Sequence, residues 1–211
     1  MRRQLWEERF VVRAGQIPLR ELCVVTAGPS GSLLANLHDD PDGVPVIAPP
    51  DLTDQQRVDT RRLRRIPWAD TNKLSRFALQ EGDLLIVRQG AVGRLALLGA
   101  EHATWFYSSS CIRIRPRGED IVPAYLAFYL SYPPVQKELL SQVLPGTVSS
   151  INTAILSELL ITVPPREQQQ AIVATLLDID AQIKIQRTIA ERLETLKPAI
   201  FGEMVEETRP T

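Results

Sequence analysis

Apolar residues fall into two regimes along the chain. Up to residue 163 they come in short runs broken by Gly, Pro and Asp; beyond it they recur at helical spacing. The runs at 22–26, 44–48, 84–87, 95–98, 103–107 and 111–115 read as β-strands. Pro49 and Pro50 end the second, since neither offers an N–H to a ladder. In the last, Ile112 and Ile114 alternate with Arg113 and Arg115, a period of two that predicts one buried and one solvated face. Strands this closely spaced predict a twisted, mostly antiparallel sheet or partial barrel. Residues 28–43 and 145–150 carry Gly, Pro and polar clusters and read as loops, while 1–16 show no clear pattern.

Helical signals follow. Asp120 is placed to cap and Pro123 to open a helix over 124–130. Pro133 and Pro134 stop it and open a second through 140. A helical turn is predicted at 152–158 and a strand at 159–163. After Pro164 and Pro165 a helix is predicted over 166–206, roughly 60 Å long. Ile172, Leu176, Ile179 and Ile183 are spaced 4-3-4, and Ile189, Leu193, Leu196 and Ile200 repeat that spacing after a break in phase. This is a coiled-coil seam that needs a partner. Pro198 should kink or break the helix. The expected fold class is α+β, with a twisted β-rich domain over 1–163 and a long C-terminal coiled-coil-type helix over 164–211.

Composition narrows the function classes. With 44% hydrophobic and 23% charged residues in 211, disorder is not the main state. No apolar run approaches the ~20 residues of a membrane span, and the N-terminus lacks a signal-peptide core, so a cytoplasmic protein is expected. Cys23 and Cys111 stand far apart, which suits neither a disulfide framework nor a zinc site; both are expected buried in strands. The net charge of −1 hides an asymmetry. Residues 55–115 hold eleven Lys/Arg against five Asp/Glu, a net of +6, whereas 166–211 hold six against eight, a net of −2. Two surfaces with different partners are implied.

Catalytic chemistry finds little support. His38 and His102 have no activating Ser or Cys pattern nearby, and there is no Walker A sequence, HExxH motif or carboxylate cluster at metal-ligand spacing. The Gly-rich stretch at 88–94 joins two strands, so it lacks the helix N-terminus that cradles phosphate. Polyanion binding is better supported. Arg61, Arg62, Arg64 and Arg65 form the densest charge run, followed by Lys73 and Arg76. Arg88, Gln89 and Arg94 flank a turn from which long side chains can project; Arg suits guanine edges, Gln adenine edges, and both hold phosphate. Trp68, Trp105 and Tyr107 interleave with these charges, with core packing the expected role.

Five segments then fall together. GDLLIVRQGAVGR at 82–94, YLAFYL at 125–130 with Val135-Gln136 after it, GTVSSIN at 146–152, LLITVPPREQ from 159, and Asp178-Ile-Asp180 resemble, in order, motifs of type I restriction-modification specificity subunits. They span 82–205. Val87 stands where the family commonly has Ser before the signature Arg. A full subunit carries two target-recognition domains and two helical spacers; this chain resembles a half-subunit with one of each.

The resemblance implies a non-catalytic, sequence-specific DNA-binding subunit of a DNA adenine methyltransferase complex. Its partners would be double-stranded DNA, a methyltransferase subunit and a possible restriction subunit. No cofactor is expected in this chain, because S-adenosylmethionine would sit in the methyltransferase. The eight seam residues would pair two copies antiparallel, reading two half-sites of one bipartite site. The alternatives are a stand-alone DNA-binding regulator or interaction protein without a methyltransferase, and an enzyme of unrecognised type.

Overall fold

The computed structural model describes residues 15–34, 42–142 and 150–207. The expectations for 1–14, for His38, and for most of the 145–150 loop lie outside them. Contacts divide the chain into two compact units, 1–170 and 171–211.

The first unit is organised by a four-stranded antiparallel sheet. Its order is β2 (Cys23–Ala27), β8 (Cys111–Pro116), β5 (Leu84–Val87) and β6 (Leu95–Leu97). β5 is apolar and buried at every position, as expected of a strand covered on both faces. Leu84, Ile86, Ile112 and Ile114 form one buried face. Helices α2 (Pro123–Ser131) and α4 (Thr153–Glu158) pack at β6 and β2. From the other face Leu85, Val87, Ala96 and Cys111 enter a core shared with Val44, Ile47, Ile66 and Phe106.

That second layer overturns the solvated face expected on β8. Arg113 is 5% exposed and Arg115 is half-buried. The layer is a three-stranded sheet ordered β4 (Arg64–Ile66), β3 (Val44–Ile47), β7 (Phe106–Tyr107), in which β3 and β7 run parallel. The β segments therefore form separate small sheets rather than one mostly antiparallel sheet. Of the strand expected over 103–107 only Phe106–Tyr107 forms. A 3₁₀ turn at Ala100–His102 and a positive φ of 69° at Thr104 bend the chain before it. Both cysteines are buried in strands, as expected.

A third, two-stranded sheet pairs β1 (Gly15–Pro18) with β9 (Leu160–Val163), Gly15 opposite Val163 and Pro18 opposite Leu160. Between β1 and β2 lies a single helical turn, α1 (Leu19–Leu22). α3 (Pro133–Ser141) follows α2, and both begin on prolines as read from sequence. Asn152 caps α4 by accepting the Ile155 N–H at 2.8 Å.

Asp120 does not cap α2. Val122 holds the capping position, and its N–H donates at 2.8 Å to Oε1 of the fully buried Gln169. The Gln169 amide donates in turn to the Asp120 and Pro164 carbonyls at 2.8 and 2.9 Å. Gln169 lies in the first turn of α5 (Arg166–Glu207), which is 42 residues long. One amide thus satisfies the Val122 N–H and ties the start of α5 to the residues that open α2.

Of the kink or break expected at Pro198, the break does not occur: α5 continues through it to Glu207. Glu194, whose carbonyl loses its partner, is exposed, so water can replace the missing hydrogen bond. In the second unit Ile179, Ile183, Ile189, Leu193, Leu196 and Ile200 are 43–56% exposed. Ile172 and Leu176 are half-buried. No helix among the described residues is long and apolar enough to cross a membrane.

Burial pushes the Cys23 and Cys111 thiols up to about 12, against an ordinary value of 9.0. Above pH 9 the unfolded chain sheds these protons while the folded chain retains them. Stability should therefore fall as pH rises from 9 towards 12. Urea midpoints measured between pH 8 and 11 should decline, less steeply in a Cys23→Ala/Cys111→Ala variant, and maleimide should label neither thiol until the protein unfolds.

Candidate nucleic-acid interface

The Arg run lies on the turn before β4 and along β4 itself, an edge strand of the three-stranded sheet. It borders a cleft of about 1130 Å³ whose opposite wall includes Ala48, Pro50 and Asp51. Arg61, Arg62, Arg64 and Arg65 all line this concavity. Their availability differs. Arg61 holds Asp59 through Nε and Nη2 at 2.9 and 2.6 Å, and this pairing lowers the Asp59 carboxyl to about 2. Arg65 donates to the Gly43 carbonyl at 2.9 Å and fixes β4 against the chain entering β3. Arg62 and Arg64 are exposed and make no ion pair among the described residues. They are the cations the cleft can offer without breaking anything.

Lys73 and Arg76 are not in that cleft. Lys73 pairs with Asp70 at 3.0 Å, and Arg76 lies over the Phe77 ring at 4.6 Å. Both belong to the run of 3₁₀ turns Trp68–Phe77.

Arg88, Gln89 and Arg94 flank a tight turn between β5 and β6. Gly90 and Gly93 adopt φ values of 87° and 88°, where a side chain is strained. The Gly93 N–H donates to the Val87 carbonyl, the Val87 N–H to the Arg94 carbonyl, and Gln136 of α3 donates to the Gly93 carbonyl at 3.2 Å. Gln89 bridges to Ser150, and the Arg88 carbonyl accepts the Ile151 N–H. Arg88 is half-buried, with Nε lacking a partner. Arg94 reaches the Leu52 carbonyl at 3.2 Å and Asp54 at 3.0 Å, joining this turn to the cleft's loop. Neither Asp83 nor Glu101 takes these arginines; Asp83 is held by Arg115.

Trp68 corrects one expectation. It is 67% exposed, its indole N–H donating to the Asp42 carbonyl at 2.8 Å, while Tyr107 lies in the core and Trp105 packs partly buried against it. An exposed indole beside the Arg run is a stacking surface. Periodicity could not find it, because it opens a 3₁₀ run instead of lying on a strand.

Known proteins bear on this arrangement. A model of the type I restriction modification DNA specificity domain matches residues 16–195. The chain belongs to that family. It is 27% identical over 208 residues to the MjaX type I restriction enzyme specificity subunit of Methanocaldococcus jannaschii, covering 94% of this chain and 48% of that relative. It is 28% identical over 132 residues to the EcoBI specificity subunit of Escherichia coli, covering 63% and 27%. The fold is similar to the crystal structure of the HsdS subunit from Thermoanaerobacter tengcongensis, with a TM-score of 0.59 at 22% identity over 83% of this chain and 39% of that one. The chain spans about half or less of the length of these relatives.

Within this specificity domain the signature stretch 82–94 has a local reason for its glycines. A Cβ on Gly93 would overlap the Gln136 side chain. Gly93→Ala should destabilise the domain by ~1–2 kcal/mol, mostly from the left-handed backbone. Urea denaturation should show less than half that loss when Gln136 alone is replaced by Ala.

Proposed function

We propose that this chain is the DNA-recognition component of a type I restriction-modification complex. The observation that carries the reading is the cleft at β4, where Arg62 and Arg64 are exposed and make no ion pair among the described residues. Membership of the specificity family supports it and argues against a stand-alone regulator. In this reading the basic residues neutralise backbone phosphates and the Arg88–Arg94 turn approaches base edges. Methyl transfer belongs to a separate methyltransferase subunit that binds S-adenosylmethionine, with a restriction subunit as a further partner of the complex. The chain itself contributes recognition, not catalysis, and works in the cytoplasm.

The second part of the proposal is assembly. Six of the eight seam residues on α5, from Ile179 to Ile200, are exposed, with no cover among the described residues of their compact unit. Covering the exposed part of each adds ~1 kcal/mol, and two copies together offset an association cost of ~4–15 kcal/mol. A two-fold antiparallel pair of α5 helices would let two half-subunits read one bipartite site.

Sedimentation of the full chain at micromolar concentration should give a dimer. Ile179→Asp/Ile183→Asp should give a monomer that binds duplex DNA but no longer distinguishes a two-part site. A monomeric wild-type chain would overturn the assembly. For recognition, Arg62→Ala/Arg64→Ala should flatten the slope of log affinity against log salt by nearly two, and genomic adenine methylation should lose its motif when the chain is deleted. An unchanged slope removes the cleft from the interface.

A further inference from the structure

Arg113 and Arg115 stand two residues apart on β8 and leave the same face of the sheet. Arg115 spends its Nε–Nη2 edge on Asp83 through two hydrogen bonds of 2.7 Å. Arg113 is more deeply buried and has no such partner. Its Nη1 donates to the Arg76 and Ala78 carbonyls at 3.2 and 3.0 Å, its Nη2 lies 3.5 Å from the Thr26 hydroxyl, and its Nε has no acceptor. Among the described residues Arg113 makes no ion pair. Carbonyls and the Tyr107 ring, 5.9 Å away, stabilise the charge without neutralising it. A buried guanidinium with no paired carboxylate is costly; burial lowers its pKa from the ordinary value, and Asp83, held by Arg115, opposes that only at a distance. The edge that in Arg115 grips a carboxylate binds, in Arg113, only the Thr26 hydroxyl through Nη2, while Nε is buried without an acceptor.

A cavity of about 520 Å³ adjoins it, lined by Arg113, Arg76, Thr26 and the loop from Gly28 to Ser30. Arg76 also makes no ion pair among the described residues. The loop is pinned against the sheet. The Gly28 N–H donates to the Cys111 carbonyl at 3.0 Å, and a Cβ on Gly28 would overlap the Ser108 carbonyl. Two arginines and a hydroxyl-bearing residue therefore line one walled space to which no acidic residue among the described ones contributes.

We propose that this cavity is a phosphate-binding site in which a DNA backbone phosphodiester sits between Arg113 and Arg76, with Thr26 as a further donor. The anion follows from the donor chemistry; its source in DNA rests on the function proposed above. A phosphate would supply the missing counter-charge through bidentate, charge-assisted hydrogen bonds. Such a contact fixes the domain's register on the duplex without reading sequence.

Two measurements on the full chain test this. Inorganic phosphate is titrated at constant ionic strength and followed by ³¹P NMR. Saturable binding is expected in the wild type, with Kd raised at least tenfold in Arg76→Ala and in Arg113→Lys. Arg76 is on the surface, so its variant stands if Arg113→Lys fails to fold. Duplex affinity is then measured against salt, and Arg76→Ala, which removes a charge, should lower the slope by about 0.9, whereas Arg113→Lys, which keeps one, should weaken binding at a nearly unchanged slope. Absence of saturable phosphate binding by the wild type, with the Arg76→Ala slope unchanged, would overturn the site. Phosphate binding lost in the variants at an unchanged DNA slope in Arg76→Ala would overturn the DNA source and leave a free-anion pocket. A wild type that binds phosphate through these residues but no DNA would refute the DNA-binding reading while the anion site stood.

Discussion

The ion pair between Arg115 and Asp83 is the constraint on which the first unit depends. The central sheet is covered on both faces, yet its strand β8 carries two arginines inward. Asp83, 1% exposed at the start of β5, takes both hydrogen bonds from Arg115 and a third from the Gln80 N–H at 2.8 Å. Arg115 also donates to the Ala78 carbonyl at 2.9 Å. The segment 78–83 that leads from the 3₁₀ run into β5 is therefore tied to β8 by charge as well as by the strand ladder. Removing one member of a buried pair costs about 3–5 kcal/mol, whereas an apolar replacement of both can be neutral. The contribution is one of placement. It lets the second sheet close over β8, and that closure positions the β4 cleft and the Arg113 cavity on one unit.

Much of this fold was legible in sequence where local chemistry decided it. Strands ending at prolines, helices opening on Pro123 and Pro133, and the 4-3-4 spacing on α5 are properties of a few adjacent residues. What was not legible depends on residues far apart in the chain. The alternation at 112–115 correctly predicts a strand, but it cannot say that a second sheet lies over the polar face. A clue was present in the unbroken apolar run at 84–87: a strand buried on both faces implies that its neighbour is too. The sequence offers Asp120 as the cap of α2 because capping is usually local, whereas the side chain that binds the Val122 N–H, Gln169, arrives from 47 residues away.

The candidate site shows the same division. The Arg run could be found by counting, and the cleft gathers all four of its arginines. Which of them are free could not be read, because Asp59 and the Gly43 carbonyl claim two. Charge density in a sequence marks a surface. The hydrogen-bond partners within the fold then select which charges remain available to a ligand.

The pairing of β1 with β9 has an architectural consequence. These strands bracket nearly everything in the first unit, from Leu19 to Leu159, and they lie side by side. The chain therefore comes in and goes out at one seam. What lies between those two strands forms a cassette, with the helix after it leaving from the same point. A module held this way can be replaced between its two end strands only where the new one keeps the groups that the junction binds, the Val122 N–H on Gln169 and the Tyr125 hydroxyl on Thr162.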